Sequence, residues 1–177
     1  HGNNSSSSDD SWGGGASIGP ASDGRIKPTM TAYYDQIGTT SSGGGYTTGF
    51  GGTSGATPIV AGHNVLAIDM FTDEVSPGFG PFGNQLRVPG GTTHQNRPSS
   101  TTLKALQSVN GSQYSFTGSS SNNRREHQGW GFPDLQTMWD LRNKTFIVDE
   151  ADVLSQGQTR SWAINVASGE PALKVCL

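Results

Sequence analysis

Two glycines run into a serine and then into a long apolar stretch: Gly51-Gly-Thr-Ser54 is followed by Ile59, Val60, Leu66, Ala67, Met70 and Phe71. The glycines let the backbone turn sharply and come close to another group. Apolar residues on nearly every side of the following helix imply that protein surrounds it. Pro58 is expected to be tolerated because it falls near the start of that helix, in its first turn. A buried helix over about residues 54 to 71, entered through a tight turn, therefore organises the chain. The serine at its start is held rigidly and stays exposed.

The rest of the chain arranges itself around this helix. Residues 1 to 24 are rich in Ser, Gly, Asn and Asp, with little to bury beyond Trp12 and Ile18, and read as irregular surface loop. Arg25 to Thr40 is a short mixed segment; Ser41-Ser-Gly-Gly-Gly45 breaks it, and Tyr46-Thr-Thr-Gly-Phe50 resumes with β-favouring residues. Thr72 to Pro98 is dense in Gly and Pro and reads as loop. Ser99 to Val109 reads as a serine-capped helix with Leu103, Leu106 and Val109 on one side. Gly129-Trp-Gly131 makes a turn before a third helix, Pro133 to Leu141, whose Leu135, Met138 and Trp139 recur at helical spacing.

Beyond Lys144 the apolar period changes to two: Phe146 and Val148, then Trp162, Ile164 and Val166, then Leu173, Val175 and Leu177. An antiparallel β unit is expected from about residue 145, with a domain boundary between about residues 142 and 157. Residues 1-144 form one unit and residues 145-177 the start of another. No start methionine or secretory leader pattern opens the chain, and the alternating run Ala172-Leu-Lys-Val-Cys-Leu177 ends without a closing turn, so both ends read as cut. The single cysteine, Cys176, has no internal disulfide partner and reads as a small buried thiol in a strand.

Composition narrows the partners. Eleven basic against fourteen acidic side chains give a net charge of -3, with no basic stripe for phosphates, which argues against nucleic acid. No segment has the roughly 18 consecutive apolar residues of a membrane span. With 26 glycines and only 14% charged residues, the chain has the balance of loop-rich extracellular proteins. A polypeptide or other neutral polymer suits it as substrate.

Ser54 carries the candidate chemistry. Free N–H groups at a helix N-terminus hold partial positive charge and can stabilise the oxyanion formed when a serine attacks a carbonyl. Ser54's own N–H would be one donor. The hydroxyl needs an imidazole to take its proton and a carboxylate to orient that imidazole. His63 stands nine positions beyond Ser54 on the same helix, about half a turn out of phase, and points away. His94 and His127 fall in loops, where a histidine is more often solvated than catalytic.

The stretch Gly52-Thr-Ser-Gly-Ala-Thr-Pro-Ile-Val-Ala-Gly62 resembles the nucleophile motif of the subtilisin-like serine proteases, G-T-S-x-A-x-P-x-V-A-G, at every fixed position. Upstream, Ser17-Ile-Gly-Pro-Ala-Ser-Asp-Gly-Arg-Ile-Lys-Pro28 is similar to the S-x-G-P-x-x-D-G-R-I-K-P stretch that precedes this motif in many subtilases. Downstream, Gln128-Gly-Trp-Gly131 resembles the turn that follows the last catalytic-domain loops in the branch with a C-terminal β-sandwich. The resemblance runs from about Ser17 to the end. It implies an α/β fold, the C-terminal portion of a three-layer domain with a mostly parallel sheet, followed by the first antiparallel strands of a β-sandwich. It also implies a secreted endopeptidase, with Ser54 as nucleophile and Gly52 and Thr53 forming the nucleophile turn. The family's triad aspartate and histidine and its oxyanion asparagine precede the serine along the chain and would lie upstream of His1.

The sequence departs from the family pattern in places. Thr29 and Ala32-Tyr-Tyr-Asp35 replace an aspartate and Ala-Pro-Gly, Gly55 replaces the commoner methionine, and Ile59 replaces a common histidine. Three other readings stay open: a pseudoprotease whose parent lacks the triad, a binding module in which Ser54 merely caps a helix, and an α/β-hydrolase esterase, whose G-x-S-x-G elbow Gly52-Thr-Ser-Gly-Ala56 nearly fits. No cofactor is required for the serine chemistry. Structural calcium, common in subtilases, could be held by Ser8-Asp-Asp10, Asp23 or the Asp69/Asp73/Glu74 cluster, although no EF-hand spacing is present. Asn3, Asn4, Asn110 and Asn143 fit the N-glycosylation pattern, which arises readily by chance in such sequence.

Overall fold

The computed structural model describes residues 16–72, 88, 91–114, 125–148 and 153–177. Strand β1 (Ile37–Thr40) pairs antiparallel with β2 (Tyr46–Phe50). Their connection, Ser41 to Gly45, turns because Gly44 and Gly45 both take positive φ, at 89° and 78°, where a side chain would clash with its own backbone. Ile37 faces Phe50 and Thr39 faces Thr47, so β2 carries one extra residue, a bulge.

Helix α1 (Thr53–Thr72) follows, then the single turn α2 (Thr93–Asn96), α3 (Ser100–Asn110), the short α4 (Arg125–Gln128), α5 (Leu135–Asp140) and a 3-10 turn, Arg142–Lys144. Ser99 caps α3 by accepting from Thr102 N–H at 3.3 Å, as its residue type suggests. Ala67 and Phe71 of α1, Leu106 of α3 and Met138 of α5 form the buried core, with Met70, Leu103, Leu135 and Ile147 packed around it. These residues recur at helical spacing in the sequence, and the three faces that carry them meet.

Chain segments far apart in sequence are tied together at Gly129-Trp-Gly131. Trp130 N–H donates to Thr29 O at 2.9 Å, and Thr31 N–H donates to Gly131 O at 3.0 Å. Ser112 and Phe132 exchange two backbone bonds, at 3.0 and 2.8 Å. A Cβ on Gly129 would overlap Pro28 O, and φ there is 62°, so only glycine admits this crossing. Arg125 lies over the Trp130 ring, 4.1 Å from its centroid. Gln128, 0% exposed, acts as a substitute peptide group. Its Oε1 accepts from Tyr114 N–H at 2.8 Å and its Nε2 donates to Tyr114 O at 2.7 Å. Asn96 does the same for Val88, at 2.8 and 2.9 Å.

Asp134 caps α5 and accepts from Thr137 N–H and Thr137 Oγ1, each at 2.8 Å, and from Ser112 Oγ. Desolvation pushes its carboxyl up, but the Ser112 and Thr137 hydrogen bonds outweigh that and hold it below the ordinary carboxylate range. A carboxyl depressed in the folded state adds stability above its unfolded pKa of about 3.9 and loses it as pH falls through the folded value. The stability gap between wild type and Asp134→Asn is therefore expected to be widest near neutrality and to close below about pH 4. Urea unfolding at a series of pH values reads it; a gap independent of pH would show the bonds to be inert.

Several expectations are corrected. Helix α1 is not enclosed: Val65 and Leu66 are 64% and 54% exposed, and Pro58 and Ala61 are also exposed. Among the described elements α1 meets α2, α3 and α5, and these leave part of its apolar circumference uncovered. Among the described residues the sheet is the two-stranded hairpin of β1 and β2. A connection of five residues is too short for a parallel crossover and leaves antiparallel pairing as the only choice. The span read as loop from Thr72 to Pro98 includes α2, nucleated by a capping box between Thr92 and Gln95.

Beyond residue 144, the described residues 145–148 and 153–177 contain no strand. A two-residue apolar period supplies faces, but a strand also needs a partner backbone. This segment is fastened by side chains instead. Lys144 Nζ meets Glu170 Oε1 at 2.6 Å, Lys174 Nζ donates to Val109 O at 3.1 Å, and the Phe146 and Trp162 rings lie 6.3 Å apart. Cys176 is exposed, not a buried strand thiol. Trp162, Ile164, Val166, Leu173 and Val175 are exposed too. Such a run is expected to drive self-association. Ile164→Lys with Val166→Lys should lower light scattering at high protein concentration while changing stability by less than about 0.5 kcal/mol; unchanged scattering would clear this segment.

Candidate active site at the start of helix α1

Ser54 lies in the first turn of α1, exposed. Gly52, with φ of 93°, makes the turn and donates its N–H to Tyr34 O, while Gly55 N–H closes onto Gly52 O at 2.8 Å. Gly51 is held equally close, since a Cβ there would sit 2.9 Å from Tyr34 O. The glycines thus press the turn against residues 34 and 35, and the chain enters the helix at a fixed angle. Thr53 and Ser54 have no carbonyl four residues back within the helix, so their N–H groups belong to the positive end of the helix dipole.

Gly55 explains one departure from the motif. It is buried, and a Cβ there would overlap Ile37 Cδ1 and lie 3.4 Å from the Phe50 ring. The hairpin occupies the space that a larger residue after the serine would fill.

The hydroxyl of Ser54 has no hydrogen-bond partner among the described residues. His63 Nδ1 donates to Ile59 O at 2.8 Å, one turn back on α1, which ties the ring to its own helix. His94 Nδ1 accepts from Arg97 Nη1 at 3.4 Å. His127 belongs to α4. No imidazole is brought to Ser54 by these contacts, in keeping with the half-turn offset read from the sequence.

A feature that the sequence did not announce lies beside the nucleophile turn. An open cavity of about 570 Å³ runs between α1 and α3, floored by residues 28 to 32 and Tyr34. Thr53, Thr57, Val60 and Asn64 line it from α1, and Ser100, Leu103, Lys104 and Gln107 from α3. Both sets are spaced at 3, 4 and 7 residues, so each is one helical stripe. The available signal was two amide side chains, Asn64 and Gln107, one on the same helical stripe as Val60 and the other on that of Leu103.

The remaining site expectations divide. Asp23 is taken by Arg25, with Oδ2 and Nε 2.6 Å apart. Asp69 is exposed, while Ser8-Asp-Asp10, Asp73 and Glu74 lie outside the described residues. Among the described residues no cluster of three His, Cys, Asp or Glu side chains forms. Asn110 is buried, and its Nδ2 donates to Leu106 O at 2.9 Å, so it presents no free amide for glycosylation. No described helix is long and apolar enough to cross a membrane. Comparison with known family models, curated proteins and solved structures gives no match.

Proposed function

We propose that this chain is the C-terminal part of a subtilisin-like serine endopeptidase, in which Ser54 attacks the scissile carbonyl of a polypeptide and forms an acyl-enzyme. The observation that carries the reading is the motif Gly52-Thr-Ser-Gly-Ala-Thr-Pro-Ile-Val-Ala-Gly62. It is supported by the exposed serine in the first turn of a helix, entered through a positive-φ glycine. Such a turn offers the Ser54 N–H to the oxyanion. In this reading the aspartate, histidine and oxyanion asparagine come from upstream of His1. The uncovered flank of α1 is where the remaining layers of a three-layer domain pack, and residues 145-177 are the opening strands of a β-sandwich, paired once their neighbours are present. Secretion follows from the same resemblance. The chemistry needs no cofactor.

The test is the parent protein, read upstream of His1 and produced whole. A fluorophosphonate probe labels only serines that a neighbouring base has activated. Wild-type parent is expected to label and to cleave peptides, and Ser54→Ala to do neither. An unlabelled but folded parent would favour the pseudoprotease.

A further inference from the structure

The cavity between α1 and α3 does not include Ser54 in its wall, and it holds an unfinished hydrogen-bond pair. Gln107, 2% exposed, donates from Nε2 to Asn64 Oδ1 at 3.1 Å. Its Oε1 is then buried with no partner. Buried amide oxygens are nearly always bonded, so an orphan of this kind marks a place for an incoming group. Turning both amides over keeps the bond between them and only exchanges the orphan acceptor for an orphan donor. A secondary amide, with an N–H on one side and a C=O on the other, satisfies either arrangement.

Two further features define the ligand. Met30, Val60 and Leu103 make part of the wall apolar. Among the described residues Lys104 is the only ionised side chain in the wall and no carboxylate lines it; Lys104 is exposed, so its ammonium can reach the mouth. Lys104 and Gln107 are three residues apart on α3 and share a face, about 5–6 Å between Cβ atoms. An N-acylated amino acid carries its amide directly beside its carboxylate. The cavity volume of about 570 Å³ lies within the range of small-molecule sites.

We propose that this cavity binds an N-acylated apolar amino acid, free or as the C-terminal end of a peptide. Its amide meets Gln107, its side chain meets Val60 and Leu103, and its carboxylate meets Lys104. The proposal does not depend on Ser54 being a nucleophile.

Titration of the ¹⁵N-labelled 177-residue chain with N-acetyl-L-leucine, read at the side-chain amide signals of Asn64 and Gln107, tests it. Both signals are expected to move, with a Kd of about 1 mM. 4-Methylpentanoate, which lacks the amide, should bind about tenfold more weakly, and N-acetyl-L-leucine amide, which lacks the carboxylate, about threefold more weakly. Tighter binding of N-octanoyl-L-leucine than of acetyl-Ala-Ala-Leu would identify the free acyl amino acid as the source; the reverse would identify a peptide terminus. Gln107→Leu should weaken binding about tenfold. Because that change also strips Asn64 of its partner, Lys104→Met, at an exposed position, serves as the second variant and should bind the acid and its amide equally. Three results would overturn the proposal: neither signal moving up to about 20 mM, folded Gln107→Leu binding unchanged, or Lys104→Met keeping its preference for the acid. A water molecule alone would then complete Gln107.

Discussion

The 177-residue chain on its own is expected to hydrolyse peptides on the order of 10⁶-fold more slowly than a parent that supplies the rest of a triad, because removing the histidine alone costs about that much in kcat. Ser54 here has its helix N-terminus and its exposure, but no hydrogen bond to a base among the described residues. His63 is bonded to Ile59 O and His94 to Arg97. An oxyanion donor supplied from upstream would be missing as well, at roughly another 10²-fold to 10³-fold. What remains is an unactivated hydroxyl beside a backbone N–H. The measurement is kcat/KM for a fluorogenic peptide, with fluorophosphonate labelling as a second readout. Strong labelling of the chain alone at Ser54, lost in His63→Ala or His127→Ala, would assign a base within it and would sink the truncated-triad account.

The second large effect concerns stability. Gln128→Leu is expected to cost about 2–4 kcal/mol, since it removes the two hydrogen bonds that the buried side chain makes to the N–H and the C=O of Tyr114. That is a large share of the roughly 5–15 kcal/mol that holds a typical domain together. Gln128 sits in the knot where residues 29 to 31, 112 to 114 and 128 to 132 are bonded to one another, so the loss is felt by three segments at once. Gln128→Glu should be nearly as harmful, because a carboxylate oxygen would face Tyr114 O where an NH₂ now donates. Urea denaturation reads both variants. A cost below about 0.5 kcal/mol for Gln128→Leu would show that water replaces the side chain without penalty.

Local features of this chain were legible in the sequence because they rest on local physics. Gly52, Gly129 and Gly131 take positive φ, backbone that glycine adopts most readily, at the entry to α1 and in the Gly129-Trp-Gly131 crossing. The apolar periods of Ser99 to Val109 and Pro133 to Leu141 found α3 and α5 to within two residues at each end. What escaped depends on neighbours. The apolar stretch after Ser54 gives a helix but does not say that Val65 and Leu66 stay uncovered. The two-residue period after Lys144 gives faces without the partner strands that would use them. The cavity wall escaped because Asn64 and Gln107 are 43 residues apart and become a pair only when α1 and α3 pack.

The amide clasps of Gln128 on Tyr114 and of Asn96 on Val88 divide the positions in each pair unequally. The clasping side chain reads a peptide group and not a side chain. Position 88 is therefore free to drift among residue types in any lineage of this chain, with proline alone forbidden because it lacks the N–H. Position 114 has the same backbone freedom, restricted by the packing of its ring against Phe132 at 6.2 Å. Positions 96 and 128 have no such latitude: even the acid of matching shape turns a donor into an acceptor. Substitution should collect on the clasped members and spare the clasping ones.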